Sequence, residues 1–235
     1  MHINKFLFSA VTGAMIFLGG CSKDPVVHMA SSSLTIVNGV AVSGALRTSF
    51  AGDSKTTFIS GQQVPQNSYV EFSGYLGQVP LALSPTADTS KVLYNQVLDI
   101  QPYSIQSLFV GGTLAQPVSL LTSDTIPNTD DSVVAVRFVN LYSGSASVNV
   151  FLSTGASVVT GLANPGATSF MIFGAKKGTS SYVFQFKDAT TSALIASYTL
   201  SSLNTYLHKD VAIVLKGVPG GTLANAKGTF LVKYY

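Results

Sequence analysis

The 235-residue chain carries 13 Lys and Arg against 10 Asp and Glu, for a formal net charge of +3, and charged residues make up only 10% of it. So sparse a charge, with no Lys/Arg cluster, excludes the basic stripe that would track a nucleic-acid backbone. Cys21 is the sole cysteine, so internal disulfides are excluded and folding must rest on packing.

Lys5 is followed by an apolar run from Phe6 to Phe17 and then by Leu18-Gly19-Gly20-Cys21. A charged start, an apolar middle and small residues form the layout of a secretory signal peptide. The run falls short of the roughly 20 apolar residues that a membrane-spanning helix requires. Leu18, Gly19, Gly20 and Cys21 resemble the lipobox of bacterial lipoproteins. That resemblance implies cleavage before Cys21 and a diacylglycerol on its thiol, which would hold the protein to a membrane. Residues 1–20 are then the signal peptide, and 21–33 a polar, lipidated tether. Ser22-Lys23-Asp24 resembles the export signal that sends some Bacteroidetes lipoproteins to the outer face of the outer membrane. The expected location is therefore the outer membrane, facing the cell surface, with the periplasmic face as the alternative.

Beyond the tether no amphipathic helix is evident, and short runs bounded by Gly, Pro, Asn or Ser recur to the end. Leu34–Val42 reads as a first strand. In Val134-Ala135-Val136-Arg137-Phe138-Val139 the even positions are apolar on one face, and Arg137 points to the other. Val148, Val150 and Leu152 repeat the alternation, and Ser153-Thr154-Gly155 offers a hairpin turn. Tyr182, Phe184 and Phe186 form another such strand. Ala212-Ile213-Val214-Leu215 is continuous and predicts a strand buried on both sides. Phe230, Val232 and Tyr234 close the series. Many short strands at spacings of about 8–12 residues indicate a sandwich or barrel.

The mature chain also repeats itself. Asn38 in Leu34–Gly39 aligns with Asn140 in Val136–Leu141 at an offset of 102. Phe72-Ser73-Gly74 aligns with Ile172-Phe173-Gly174, Leu81 and Leu83 with Phe184 and Phe186, Tyr103 with Tyr206, and Gly112-Thr113-Leu114 with Gly221-Thr222-Leu223. Two copies of about 100 residues can each close a small core. The expected fold is all-β: two tandem immunoglobulin-like β-sandwiches, 34–122 (degenerate) and 133–235, joined by a linker over 123–132.

Val134-Ala135-Val136-Arg137-Phe138-Val139-Asn140 and Ala146-Ser147-Val148-Asn149-Val150-Phe151 together resemble an immunoglobulin-like repeat of bacterial lipoproteins, the domain of unknown function DUF 4397. Asn149 stands where that family usually has Asp, and Phe151 where it has an aliphatic residue. The resemblance covers roughly 133–225 and implies a fold without catalytic residues.

Chemistry-bearing residues are few. His208 with Asp210 two residues on lacks triad geometry and a nucleophile elbow, and reads as a solvated turn histidine. Glu71, the sole glutamate, and Asp99 are a conceivable carboxylate pair, but read better as solvent-facing strand charges. No cofactor and no metal are expected. Calcium at Asp124, Asn128, Asp130 and Asp131 in the linker is the one alternative. Asp124-Thr125-Ile126 and Asp131-Ser132-Val133 match the Bacteroidetes O-glycosylation pattern, making Thr125 and Ser132 candidate acceptors on an exposed loop. Tyr75, Tyr94, Tyr103, Tyr142, Tyr198 and Tyr206 are candidate stacking platforms for sugars, with Tyr142 foremost as a surface contact. The expected function is a non-enzymatic envelope or surface module acting on an unidentified protein or glycan partner: an adhesin, spacer or accessory. The alternatives are a glycan-binding accessory of an uptake system and a pilin-type subunit assembled by strand exchange. The latter would be cut at Arg47 and would donate Gly228–Tyr235.

Overall fold

Alternating apolar residues give the first repeat its strands: β1 Ser33–Asn38, β2 Leu46–Phe50, β3 Gln63–Val64, β4 Ser68–Ser73, β5 Gly77–Pro85, β6 Tyr94–Ile100, β7 Ile105–Gly112 and β8 Pro117–Ser123. They were obtained in a computed structural model that describes residues 31–50, 62–128, 132–175, 181–207, 209–222 and 225–234. The sheets run in the order β4-β1-β7-β8 and β3-β2-β5-β6. Leu34 and Ile36 from one sheet meet Leu81, Leu83, Leu98 and Ile100 from the other in a first core.

The second repeat follows with β9 Val133–Asn140, β10 Ser147–Leu152, β11 Ser157–Ala163, β12 Gly166–Ala167, β13 Met171–Gly174, β14 Ser181–Asp188, β15 Leu194–Ser201, a 3₁₀ turn Leu203–Tyr206, β16 Asp210–Lys216 and β17 Gly228–Lys233. Its sheets are β12-β9-β16-β17, with β13 also on β9, and β11-β10-β14-β15. The second core centres on Phe138, whose ring meets Phe184 and Phe186 edge-on at 5.0 and 6.0 Å. The chain is thus all-β, two tandem immunoglobulin-like sandwiches.

Strand pairing identifies the two repeats with each other. β1 runs parallel to β7, and β9 parallel to β16. Leu81 and Leu83 face Phe50 and Thr48 across the ladder, as Phe184 and Phe186 face Leu152 and Val150. Asn38 and Asn140 are fully buried and make the same bonds. Each accepts from the backbone N–H two residues on, Val40 at 3.2 Å and Tyr142 at 3.1 Å. Each also donates to a carbonyl at 3.1 Å, of Val64 and Leu162 respectively.

Two of the sequence alignments shift. Phe72 pairs with Leu34, and its counterpart is Met171, paired with Val136. Ile172, one residue on, lies on the opposite face and is 53% exposed. The β9 ladder also carries one extra residue between β12 and β13 that the β1–β4 ladder lacks. The partner of Gly112, the last residue of β7, is Gly217, the residue just beyond β16, both with positive φ (+76° and +103°), rather than Gly221.

The two sandwiches stack back to back. Val211–Leu215 of β16 is apolar on both faces, and β1, β7 and β9 are buried on both faces along most of their length, so the inner sheets are covered on their outer sides as well. Val37 and Phe109 of the first meet Val139, Leu141, Ala212, Val214, Phe230 and Val232 of the second in a third core. All of β16 is buried, as its continuous apolar run predicts. Leu141 enters a notch floored by two glycines of the first sandwich. A Cβ on Gly111 would lie 2.6 Å from the Leu141 Cβ, and one on Gly39 would lie 2.9 Å from its Cδ1.

Gly111→Ala should therefore cost about 1–3 kcal/mol through overpacking and lower the melting temperature by several degrees. Gly174→Ala, whose Cβ would meet nothing closer than the Tyr182 hydroxyl at 3.9 Å, should leave it within about a degree. Calorimetry of the two variants checks this.

Candidate functional site

Odd residues of β9 face the first sandwich, so Arg137 points into the third core, where it is only 3% exposed. Its Nη1 donates to Asp124 Oδ1 at 2.6 Å and its Nη2 to Oδ2 at 3.2 Å, the planar fork meeting the carboxylate side-on. Nη2 also donates to Ser107 Oγ at 3.0 Å and to the Tyr234 hydroxyl. Ser107 Oγ donates to Asp124 Oδ2 at 2.5 Å, which leaves the Tyr234 hydroxyl to donate to Ser107 across 3.0 Å. Thr122 Oγ1 donates to Asp124 Oδ1 at 2.7 Å. The rings of Tyr234, Phe109 and Phe170 lie 4.7–4.9 Å from the guanidinium carbon.

These partners come from both sandwiches: Ser107 on β7, Thr122 on β8, Asp124 just beyond it, and Tyr234 at the end of β17. Phe170 sits in the segment lengthened by the extra residue between β12 and β13. Burial holds the Tyr234 phenol above its usual pKa, with Arg137 pulling it down and Asp124 pushing it up. Beside this network a cleft of about 320 Å³ is lined by Asp124, Thr125, Arg137, Thr168, Ser169 and Phe170. Its two charges neutralise each other at contact distance, so the chemistry is that of a fastener between sheets.

Several sequence expectations are corrected here. The linker does not begin as a solvated loop: β8 runs to Ser123, Asp124 is buried, and Ile126 packs against the third core. Asp124 is spent on Arg137, Ser107 and Thr122 rather than free for calcium. Asn128 is exposed, and Asp130 and Asp131 lie outside the described residues. No group of three or more His, Cys, Asp or Glu fit to hold a metal occurs among the described residues. Thr125 is exposed and Ser132 half-buried. Tyr142 is not a surface contact: it is 7% exposed and belongs to the second core. Its backbone is turned inward by the Asn140 bond, and burial, with the Asp188 charge, raises its phenol pKa. Glu71 and Asp99 are not brought together. Their core-facing neighbours are Phe72 and Leu98, so the two carboxylates project from opposite outer faces of the first sandwich, whose layers alone are about 10 Å apart.

Leu18, Gly19, Gly20, Cys21, Ser22, Lys23, Asp24 and His208 lie outside the described residues. Asp210, read from sequence beside His208, is instead buried at 3% exposure on the third-core side of β16. Its Oδ1 has no hydrogen-bond partner among the described residues, and burial raises its pKa to about 6.

No family model matches the chain, and no curated protein matches it. Among solved structures it is similar to an α-glucan-recognising family 41 carbohydrate-binding module from streptococcal virulence factors. The identity is 11% over 85% of this chain and 96% of that one, with a TM-score of 0.29. A family 26 module from Eubacterium rectale, solved with maltoheptaose, is similar at 8% identity over 87% and 96%, with a TM-score of 0.26. At such TM-scores neither likeness bears on a ligand for this chain.

Arg137→Met should cost about 3–5 kcal/mol in urea unfolding, because it strands the Asp124 carboxylate in an apolar seam. Adding Asp124→Leu should restore most of that loss. Asp210 carries a pH signature. Its folded pKa of about 6 stands above the ordinary 3.8, so its favourable contribution is full below about pH 4 and is lost as pH rises through 6. Asp210→Asn should be more stable than the parent at pH 7.5, and the difference should shrink towards pH 4, measured by urea unfolding across that range.

Proposed function

We propose that the chain is a lipid-anchored, non-enzymatic module of the bacterial envelope, presented on the cell surface as one rigid body by a tether from Cys21. The observation that carries this reading is the third core: two sandwiches fused by an apolar seam and a buried ion pair present fixed outer sheets and loops. Such a body suits presentation to a partner better than a flexible pair of beads would. The lipobox-like Leu18-Gly19-Gly20-Cys21 and the Ser22-Lys23-Asp24 sequence support the address, and the resemblance to lipoprotein repeats of the DUF 4397 type supports the class. On this reading Thr125 is the more accessible of the two candidate glycosylation acceptors.

Strand exchange of the pilin type is disfavoured by the pairing of the strands it would use. β1, which a cut at Arg47 would remove, is hydrogen-bonded on both sides, to β4 and β7. β17 pairs along its length with β16, and Tyr234 just beyond it is tied to Arg137.

Protease treatment of intact cells should shave the wild-type protein, whereas Cys21→Ala should be released from the membrane fraction. Protection until the outer membrane is broken would move the protein to the periplasmic face and remove the surface reading.

A further inference from the structure

Most tyrosines named above as stacking platforms are taken up by packing. Tyr75 stacks on Phe50 with ring centres 4.2 Å apart, Tyr94 and Tyr142 are buried, and Tyr198 and Tyr206 lie against the second core. Tyr103 is different. It is 70% exposed and adopts φ +61°, a left-handed conformation that a bulky side chain enters at a cost of about 1–2 kcal/mol. Its ring gains little packing in return. Its backbone is fixed in place: Tyr103 N–H donates to the Ser31 carbonyl at 2.8 Å, and Ser104 N–H to that of Gln101 at 3.1 Å.

Tyr103 lines a cleft of about 310 Å³ on the first sandwich. The floor is the continuation of the face that makes the third core. Odd residues of β1, β4 and β7 share that face, and beyond Ser107 it runs out to Ser33, Glu71, Ser73 and Ile105, all exposed or half-exposed. Ser33 Oγ donates to Glu71 Oε1 at 2.7 Å, which fixes the carboxylate and leaves its second oxygen without a protein partner among the described residues. The Ser73 hydroxyl is likewise unengaged among them.

A flat apolar ring, one held carboxylate and several hydroxyls around one small cleft fit a narrow class of ligand. Glu71 repels anions. A lipid tail would strand the serine hydroxyls, and so would a methylated ammonium, which also prefers an aromatic cage to a single ring. A neutral sugar satisfies every group, with its C–H face on Tyr103 and neighbouring hydroxyls on the carboxylate and the serines. We propose that this cleft is a glycan subsite that holds one or two neutral hexose-type residues. The proposal deepens the surface-module reading and relies on it for where the glycan is met, but binding in solution needs no anchor.

The test is saturation-transfer NMR on the full unlipidated Cys21→Ala chain, with the methyl glycosides of glucose, galactose, mannose and N-acetylglucosamine as probes. At least one should receive saturation, and that signal should fall at least fivefold in Tyr103→Asn and in Glu71→Gln. Asn tolerates the left-handed conformation, so Tyr103→Asn should melt no lower than the parent. No transfer to any of the four glycosides, or equal transfer in both variants, would overturn the subsite. Binding by a protein that proves periplasmic would sink only the address. Silence from a protein that is shaved from cells would sink only the cleft.

Discussion

The ion pair between Arg137 and Asp124 is the constraint on which the arrangement of this protein turns. A guanidinium and a carboxylate removed from water are costly unless paired and hydrogen-bonded, and here Ser107, Thr122 and Tyr234 add to the pair's own contacts so that only Arg137 Nε lacks a partner among the described residues. The partners come from both sandwiches, so the penalty for leaving either charge alone falls on any other docking of the two. A slip of one residue along β9 would turn Arg137 into the second core among Val136 and Phe138. The pair adds specificity of register to a seam whose apolar contacts are themselves non-directional.

That seam sets where binding can occur. In an isolated sandwich each sheet offers one face to water, whereas here the central strands β1, β7, β9 and β16 of the inner sheets are covered on both sides over most of their length. Recognition is left to the outer sheets, the edges and the ends. The Tyr103 cleft lies at such an end, where the face of β1, β4 and β7 runs out past the cover of the second sandwich. The same face that is apolar under that cover (Val37, Phe109) becomes serine-rich and acidic beyond it (Ser33, Glu71, Ser73).

Much of this architecture was legible in period-two alternation and in the internal repeat. The alignment of Leu81 and Leu83 with Phe184 and Phe186 is reproduced by strand pairing, and the doubly buried β16 follows from its unbroken apolar run. What alternation cannot tell is what covers the second face. Alternation puts Arg137 on the face opposite Val136 and Phe138, yet a charged residue on an alternating strand reads as solvent-facing until a partner sheet is found. Asp124 was hidden in the same way, since a polar stretch after a strand looks like linker. β2 shows little strand pattern in the sequence because Leu46 and Thr48 stand where the other copy has Val148 and Val150. Tyr103 was one tyrosine among several, and its left-handed backbone and exposure come from the turn into β7, which no local pattern announces.

The central claim is that the two sandwiches form one rigid body, and residual dipolar couplings measure it most directly. Amide couplings from both repeats, recorded in a weakly aligning medium, should fit a single alignment tensor with the inner sheets face to face. Two tensors of different magnitude or orientation would mean that the sandwiches move independently, and the account of Arg137 as the fastener between them would be wrong.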